Sequence, residues 1–448
     1  MMKNIAVALA VSAVAVFGAS ADFIPTSGTQ SYTNAANWDG GDINGVFSRA
    51  QTGNYTIEFP ADTVLTTGLT FNQNAGTFAV TVRGNGGNRV LTLGGDISHN
   101  ATGNATRSVG IGGGANANLN INLGGNRTFG VTRAGDLLSI TNTMVGGSGD
   151  LTKTGLGTLI LSNAAHDIGD IFVNEGVLQV SATAVTSGRK INLGATSGAA
   201  GATLRVTGTQ TNNFVVRAGS TGVVEYRSNA NNDTGISGGI QLDRELTANL
   251  LSGAASANSR TLTLSGEITG GGGIVVTGGG VTNPGALVIS GAVGNSYTGN
   301  TRVLDGVLNL GKASGNAVGG GLIIGDGIVD GVADTVNLLA SNQIADAAGV
   351  NIAATASLNL GGFSELVAAT FVDAGGLINT GVGGTLFTES LSLGGVAIPN
   401  GTYTASSGSF GGINFADYIS GSGSVVVPEP ASLSLVGVAA VAMLRRRK

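Results

Sequence analysis

Residues 149–180 read GDLTKTGLGTLILSNAAHDIGDIFVNEGVLQV, in which apolar residues alternate with small polar ones between closely spaced glycines. Period-2 alternation is typical of a β-strand with one buried face, and glycine lets the chain turn where a strand ends. The same alternation recurs along the chain and is clearest in NLNINL, residues 118–123. The sequence therefore predicts many short strands joined by tight turns.

A second, looser copy of this unit lies at residues 272–310. It keeps the strand-like runs IVVT (274–277) and ALVIS (286–290), and its closing segment VLDGVLNL (303–310) matches VNEGVLQV (173–180) at a distance of 130 residues. The copy lacks the lysine of the first unit, Lys153, and is longer by about seven residues. Repetition of one supersecondary unit predicts a solenoid.

The pattern Gly-x-Gly-x-Leu-x-Lys-x-Gly-x-Gly-x-Leu-x-Leu, carried by residues 147–161, resembles the autotransporter-associated β-strand repeat. Copies of that repeat form parallel β-helix. The resemblance implies an all-β chain folded as a Gly-rich parallel β-helix, or β-solenoid, in which each strand pairs with the coils above and below it.

We expect five segments along the chain. They are a signal peptide (1–21), an N-terminal β-rich cap or entry region (22–88), a β-solenoid (89–345) with repeats near 149–180 and 272–310, a C-terminal β-rich region (346–427) and a sorting tail (428–448). Helices are expected only in the signal peptide, as a short transmembrane helix in the tail, and over the run SELVAA at 364–369.

The N-terminus has the three parts of a secretory signal peptide. Lys3 supplies the charge, residues 5–17 form a short apolar core, and Ala19-Ser20-Ala21 is a small-x-small cleavage site. Cleavage after Ala21 leaves Asp22 as the first mature residue, and the expected partner is a Sec-type export machinery.

The C-terminus has a different three-part order. Pro428-Glu429-Pro430 is followed by an uncharged apolar run from Ala431 to Leu444 and by Arg445, Arg446, Arg447 and Lys448. The cationic cluster favours the cytoplasmic side. A helix of about 14 residues spans only about 21 Å, less than a hydrocarbon core of about 30 Å. The run is therefore suited to temporary anchoring.

These three elements resemble the PEP-CTERM sorting signal of Gram-negative bacteria. In that family a membrane protease-transpeptidase, exosortase, cuts near Pro-Glu-Pro. The resemblance implies an exosortase-like partner, transient anchoring in the inner membrane, and then a place on the cell surface or outside the cell. A plain C-terminal membrane anchor is the alternative, with the same topology and no processing.

Composition limits how the exported chain is stabilised and which partners it can bind. The chain has no cysteine, so disulfides do not stabilise it after export. Removing the signal peptide and the tail leaves 16 of 21 basic residues and 25 of 26 acidic ones. An acidic exterior does not attract phosphate backbones, so we expect no binding to nucleic acid.

Residues with catalytic or metal-binding chemistry are few. His99 and His166 have no metal-ligand spacing, and we expect His166 in a surface loop. Gly235-Ile236-Ser237-Gly238-Gly239 and residues 110–115 match catalytic or nucleotide motifs, but no helix is predicted after either. Asp326, Asp330 and Asp334 leave a loose calcium site open. We expect no cofactor, no metal and no enzymatic activity.

Three functions remain open. The first is an exported structural protein of the envelope or extracellular matrix, with extracellular polysaccharide as a candidate partner. The second is a polysaccharide-active β-helix enzyme, whose acids would include Asp233, Glu245 or Glu267. The third is a glycan- or ice-binding solenoid, for which the candidate Thr-x-Thr pairs are Thr152/Thr154, Thr261/Thr263 and Thr402/Thr404.

Overall fold

The predicted all-β parallel β-solenoid is confirmed by a computed structural model of the chain. The structure describes residues 25, 27–37, 45–47, 53–73, 78–103, 105–113, 118–162, 165–181, 185–186, 188–228, 232–251, 260–280, 283–328, 331–332 and 334–429. Strands dominate these residues, and the helices among them are two short 3₁₀ segments, Ala35–Asn37 and Phe415–Asp417.

Forty-four strands follow one another along the described chain. The first group comprises β1 Gly28–Ser31, β2 Val46–Phe47, β3 Tyr55–Phe59, β4 Thr63–Val64, β5 Leu69–Gln73, β6 Ala79–Gly84, β7 Arg89–Thr92, β8 Ile97–Ala101, β9 Ser108–Gly112, β10 Leu119–Asn122, β11 Arg127–Val131, β12 Leu137–Ile140, β13 Met144–Val145, β14 Leu151–Thr154 and β15 Thr158–Leu161. The second comprises β16 Ile171–Val173, β17 Gly176–Ser181, β18 Lys190–Leu193, β19 Ala202–Thr207, β20 Thr209–Gln210, β21 Asn213–Val216, β22 Val224–Ser228, β23 Thr234–Ile236, β24 Ile240–Leu242, β25 Leu246–Asn249, β26 Thr261–Leu264, β27 Ile268–Gly270, β28 Ile274–Thr277, β29 Ala286–Gly291 and β30 Thr301–Val303. The third comprises β31 Val307–Lys312, β32 Leu322–Ile324, β33 Thr335–Leu338, β34 Gly349–Ile352, β35 Ser357–Asn359, β36 Ser364–Val372, β37 Leu377–Asn379, β38 Thr385–Leu393, β39 Val396–Ile398, β40 Gly401–Tyr403, β41 Ser409–Phe410, β42 Ile413–Asn414, β43 Ile419–Ser420 and β44 Ser424–Val427.

The strands stack into three faces. As far as β27 the chain visits them in the order face 1, face 2, face 3, with the face 2 strand missing from some turns; from β28 to β38 its strands alternate between faces 1 and 2. Face 1 is the parallel column β1-β3-β6-β9-β12-β15-β17-β19-β22-β25-β28-β30-β32-β34-β36-β38-β44. Face 2 consists of β4-β7-β10-β13 and of β20-β23-β26-β29-β31-β33-β35-β37-β43. Face 3 is β2-β5-β8-β11-β14-β16-β18-β21-β24-β27.

The length of one turn varies along the solenoid. The chain returns to the same position on face 1 after 29 residues between Val80 and Val109, and after 19 between Leu159 and Leu178. In the short turn, an isolated bridge between His166 and Val185 replaces the face 2 strand. Parallel pairing continues across the expected segment boundaries at 88/89 and 345/346; the boundaries themselves stay a prediction.

Alternating side chains build one hydrophobic column inside the three faces. Leu119, Ile121 and Leu123 point inward and are almost fully buried, and the asparagines between them point outward. Burial of apolar area at about 25 cal/mol per Å² is the main favourable term that such a column supplies. At the N-terminal end the column is aromatic, with the Tyr32 and Phe59 rings stacked at 4.4 Å.

Corners between faces are fixed by backbone and by short polar side chains. Asp150, Asp170 and Lys190 occupy one corner in three successive turns. The Asp170 N–H donates to Asp150 Oδ1, and the Lys190 N–H donates to Asp170 Oδ1, both at 2.9 Å. Each acidic corner residue therefore satisfies an N–H group of the next turn that the strand ladder leaves unpaired.

Antiparallel strands close the C-terminal end of the solenoid. β39 folds back on β38, and β40 covers the outer edge of β44. Covering an edge strand removes a template for pairing with another chain.

One expected helix is wrong. Residues 364–369 belong to strand β36, whose two halves pair with the two halves of β38. The expected terminal helices, in residues 1–21 and 431–444, lie outside the described residues. Within the described part of the chain, no helix has the length and apolar character needed to cross a membrane.

Candidate functional site

The sorting tail leaves the solenoid directly from its last strand. β44 lies between β38, its parallel partner, and β40, its antiparallel partner. Val425 and Val427 point into the core and are 0% and 2% exposed. Because side chains alternate along a strand, Val426 and then Pro428 point outward. The tail therefore begins on the outer surface of a paired strand.

The start of the Pro-Glu-Pro segment lies at the protein surface. Pro428 is half-buried and Glu429 is exposed. The Asn400 side-chain amide donates to Glu429 Oε2 at 3.4 Å. The remaining expected sorting residues (Pro430, Arg445, Arg446, Arg447 and Lys448) and the expected cleavage residues (Ala19, Ala21 and Asp22) lie outside the described residues.

The lysine of the first repeat is buried inside the solenoid. Lys153 Nζ donates to the carbonyl oxygens of Thr154 at 2.8 Å, Gly155 at 2.5 Å and Glu175 at 3.1 Å. Burial lowers the pKa of Lys153 to about 7, and the Glu175 carboxylate opposes this shift. The side chain joins the corner at residues 154–155 to the corner of the next turn. The inward position of Lys153, two residues after Leu151, was the available sequence signal for burial.

Both histidines are buried, so the expected surface position of His166 is wrong. His166 Nδ1 accepts a hydrogen bond from the Met144 N–H at 3.0 Å. His166 lies where this turn has no face 2 strand, and it pairs there with Val185 of the next turn. His99 Nε2 lies 2.6 Å from Gln73 Oε1. Burial lowers the pKa of each histidine to about 4, so both are neutral near pH 7.

A buried carboxylate was missed by sequence reasoning. Glu365 is 1% exposed, and its oxygens accept from the N–H groups of Gln343 at 2.7 Å and Ile344 at 3.3 Å. Burial raises the pKa of Glu365 to about 7. It satisfies two backbone donors of the preceding turn, which gives it a structural role.

The three candidate acids for polysaccharide chemistry lie at three different corners. Asp233 directly precedes β23 on face 2, Glu245 precedes β25 on face 1, and Glu267 precedes β27 on face 3. The Asp233 carboxylate accepts from the Thr261 N–H at 2.9 Å, and Glu245 forms an ion pair with Arg302 at 2.8 Å. The structure does not bring these carboxylates together on one groove.

The other candidate motifs are also dispersed. Strand β24 follows Ser237, and the next described strand after Gly112 is β10. The Thr-x-Thr pairs lie on β14, on β26 and at β40, in separate parts of the solenoid.

The acidic stretch near residue 330 is only partly described. Asp326 is exposed and its carboxylate accepts from the Ile328 N–H at 2.8 Å, Asp334 is buried, and Asp330 lies outside the described residues. No cluster of three or more His, Asp or Glu residues that could hold a metal occurs in the described ranges.

The chain is thus a capped parallel β-solenoid with a tail that leaves from its final strand. Comparison with protein families finds two models in the chain. Residues 151–180 and 281–310 match the Passenger-associated-transport-repeat, and residues 426–448 match the PEP-CTERM protein-sorting motif. No curated protein and no solved structure matches. The two matches point to an exported, surface-associated protein, and the sorting motif implies processing by an exosortase-type system.

Proposed function

We propose that this chain is a non-enzymatic structural protein of the cell surface or extracellular matrix, exported by a Sec-type machinery and processed by an exosortase-like membrane protease. The observation that carries the proposal is the sorting motif directly after the last paired strand of a solenoid. The described strands supply a continuous scaffold, and the charged groups within it mainly satisfy backbone hydrogen bonds. Extracellular polysaccharide is the partner class that we propose for its outer faces.

The tail supports a temporary membrane stage. Its apolar run of about 14 residues is about 9 Å too short for a hydrocarbon core of about 30 Å. The cluster from Arg445 to Lys448 would hold its cytoplasmic end. We propose that the chain waits in the inner membrane until cleavage near Pro428-Glu429-Pro430 releases or transfers it.

An intact-mass measurement on the protein recovered from its host tests this proposal. The expected mature chain begins at Asp22 and ends between Val427 and Pro430. In a host that lacks the exosortase-type enzyme, the mass should retain residues 431–448. A wild-type mass that still contains these residues would leave an ordinary membrane anchor and reject processing.

A matched pair of variants sharpens the test. Replacing the motif through Pro428→Ala, Glu429→Gln and Pro430→Ala should block the change in mass. Glu389→Gln changes another exposed glutamate on the neighbouring strand β38 and should leave processing intact.

A further inference from the structure

Five apolar side chains lie close to the point where the tail leaves the solenoid. Leu366, Phe387 and Val426 are paired in register on the adjacent strands β36, β38 and β44. Phe363 lies directly before β36, and Val382 lies three residues before β38 at the same corner in the next turn. We call these five residues the exit patch.

Three members of the exit patch, Phe363, Val382 and Phe387, are exposed although they are large and apolar, and Leu366 and Val426 are half-buried. Phe387 is 38% exposed and Val382 is 88% exposed. Phe387 is the register partner of Val426, two residues before Pro428. Since Val426 and Pro428 point to the same outer side of β44, the tail leaves on the side that carries Phe387.

Little chain separates this surface from the apolar run. Pro428, Glu429 and Pro430 are the only residues between β44 and Ala431. Three extended residues span at most about 11 Å. While the run from Ala431 to Leu444 is inserted, the last turn of the solenoid must therefore lie against the membrane surface.

The short length of the apolar run at 431–444 also draws the last turn of the solenoid toward the membrane. The cationic cluster at 445–448 holds the cytoplasmic end, so the shortfall of about 9 Å falls on the exported side. A segment that is too short thins the bilayer or draws its flanking residues inward. Aromatic side chains are favoured at the boundary between water and hydrocarbon.

We propose that the exit patch seats the last turn of the solenoid in the lipid interface while the tail is inserted. This inference rests on the membrane stage of the proposed function. Glu389 and Glu429 are exposed two residues after Phe387 and three residues after Val426, so apolar contact rather than attraction to anionic headgroups supplies the binding. Seating would hold the Pro-Glu-Pro segment at the membrane surface, within reach of a membrane-embedded protease.

Tryptophan fluorescence can locate the patch. The unprocessed chain, with its tail, is purified in detergent and reconstituted into phosphatidylethanolamine and phosphatidylglycerol vesicles with acyl chains brominated near the headgroup. Trp38→Phe removes the only tryptophan. Single tryptophans are then introduced as Phe387→Trp in the exit patch, Leu435→Trp in the tail and Leu156→Trp as a control. Leu156 is also an exposed apolar residue, 55% accessible, but lies many turns away.

We expect the brominated lipid to quench most of the fluorescence of Phe387→Trp and of Leu435→Trp. The fluorescence of Leu156→Trp should stay unquenched. Quenching of Leu435→Trp without quenching of Phe387→Trp would overturn the seating and leave the membrane stage standing. If Leu435→Trp is not quenched, the membrane stage fails and the seating fails with it. Quenching of Leu156→Trp would show lipid contact without the proposed specificity and would also overturn the inference.

Discussion

The two passenger repeats, at 151–180 and 281–310, share a sequence pattern but lie on different faces of the solenoid. In the first, β14 to β17 alternate between faces 3 and 1 around the corner at Gly176. In the second, β29 to β31 alternate between faces 2 and 1 around the corner at Gly306, and β28, just before the matched residues, takes the position that β14 has in the first. Each unit is thus two strands that meet at a glycine corner, with a looser third side. The repeat specifies a corner, and its two copies occupy different corners of the solenoid.

The two repeats differ in one buried residue, the lysine of the first. Lys153 lies on β14, and the matching position on β28 is Val276, which is also fully buried. On β28 the Thr277 carbonyl accepts from the Leu250 N–H at 2.8 Å. A backbone donor there does part of what the Lys153 side chain does in the first repeat.

Substitution of Lys153 should have the largest effect. Lys153→Ala loses buried methylenes and leaves three carbonyl oxygens without this donor, so we expect a loss of about 3–5 kcal/mol in the free energy of unfolding. Val276→Ala, which removes only apolar contact, should cost about 1–3 kcal/mol. Urea unfolding at pH 8.5 measures both. Equal losses would show that the lysine contributes only its volume.

The corner glycines should rank next. Gly176 has φ +71° and Gly306 has φ +98°. A β-carbon at Gly176 would meet the Gly155 carbonyl oxygen and lie 2.7 Å from the Gly157 oxygen, whereas at Gly306 it would lie 2.6 Å from the Leu250 Cδ1 side-chain atom and 2.9 Å from the Pro284 carbonyl oxygen. We expect Gly176→Ala to cost about 2–4 kcal/mol and Gly306→Ala about 1–2 kcal/mol. Thermal unfolding of the two variants tests the order; the reverse order would mean that the second corner is the tighter one.

The pH dependence of the free energy of unfolding should show a smaller difference between the repeats. The folded pKa of Lys153, about 7, lies below the unfolded value of 10.5. Between these values the unfolded chain binds more protons, so stability rises with pH. From pH 7 to pH 9 the wild type should gain about 2 kcal/mol relative to Lys153→Met. Parallel urea titrations check this gain, and parallel profiles for the two proteins would contradict it.

The corner acids should show the smallest difference. Glu175 Oε2 accepts from the Gly155 N–H at 3.1 Å, and Asp305 Oδ2 accepts from Thr277 Oγ1 at 2.9 Å. Glu175→Gln and Asp305→Asn keep an acceptor oxygen, so each should cost less than about 1 kcal/mol. At pH 6, where Lys153 is charged, Glu175→Gln should be the more costly. A larger cost for Asp305→Asn at that pH would argue against the lysine–glutamate attraction.

The solenoid class could be predicted because alternation and repetition are local properties of the sequence. The face of each strand could not, because turns of 19 and 29 residues place equivalent segments at different corners. The run SELVAA at residues 364–369 was expected as a short helix from its periodicity alone. In the structure Glu365 and Val367 point inward and Leu366 outward, and backbone donors satisfy the buried carboxylate.

The candidate site was predictable to a similar extent. The order of motif, apolar run and basic cluster is written in consecutive residues. The position of Val426, two residues before Pro428, beside Phe387 depends on the register between β38 and β44, which are joined by a long excursion through the C-terminal cap. The burial of His166 likewise depends on contact with Met144 in another turn.

The stacked strands of face 1 determine the length of the solenoid. It runs from β1 at one end to β44 at the other, and at about 4.8 Å per stacked strand it measures roughly 75 Å. A molecule held by its tail would carry its first turns at that height above the anchoring surface. In that arrangement the addition or removal of one turn would change the height by the thickness of one strand.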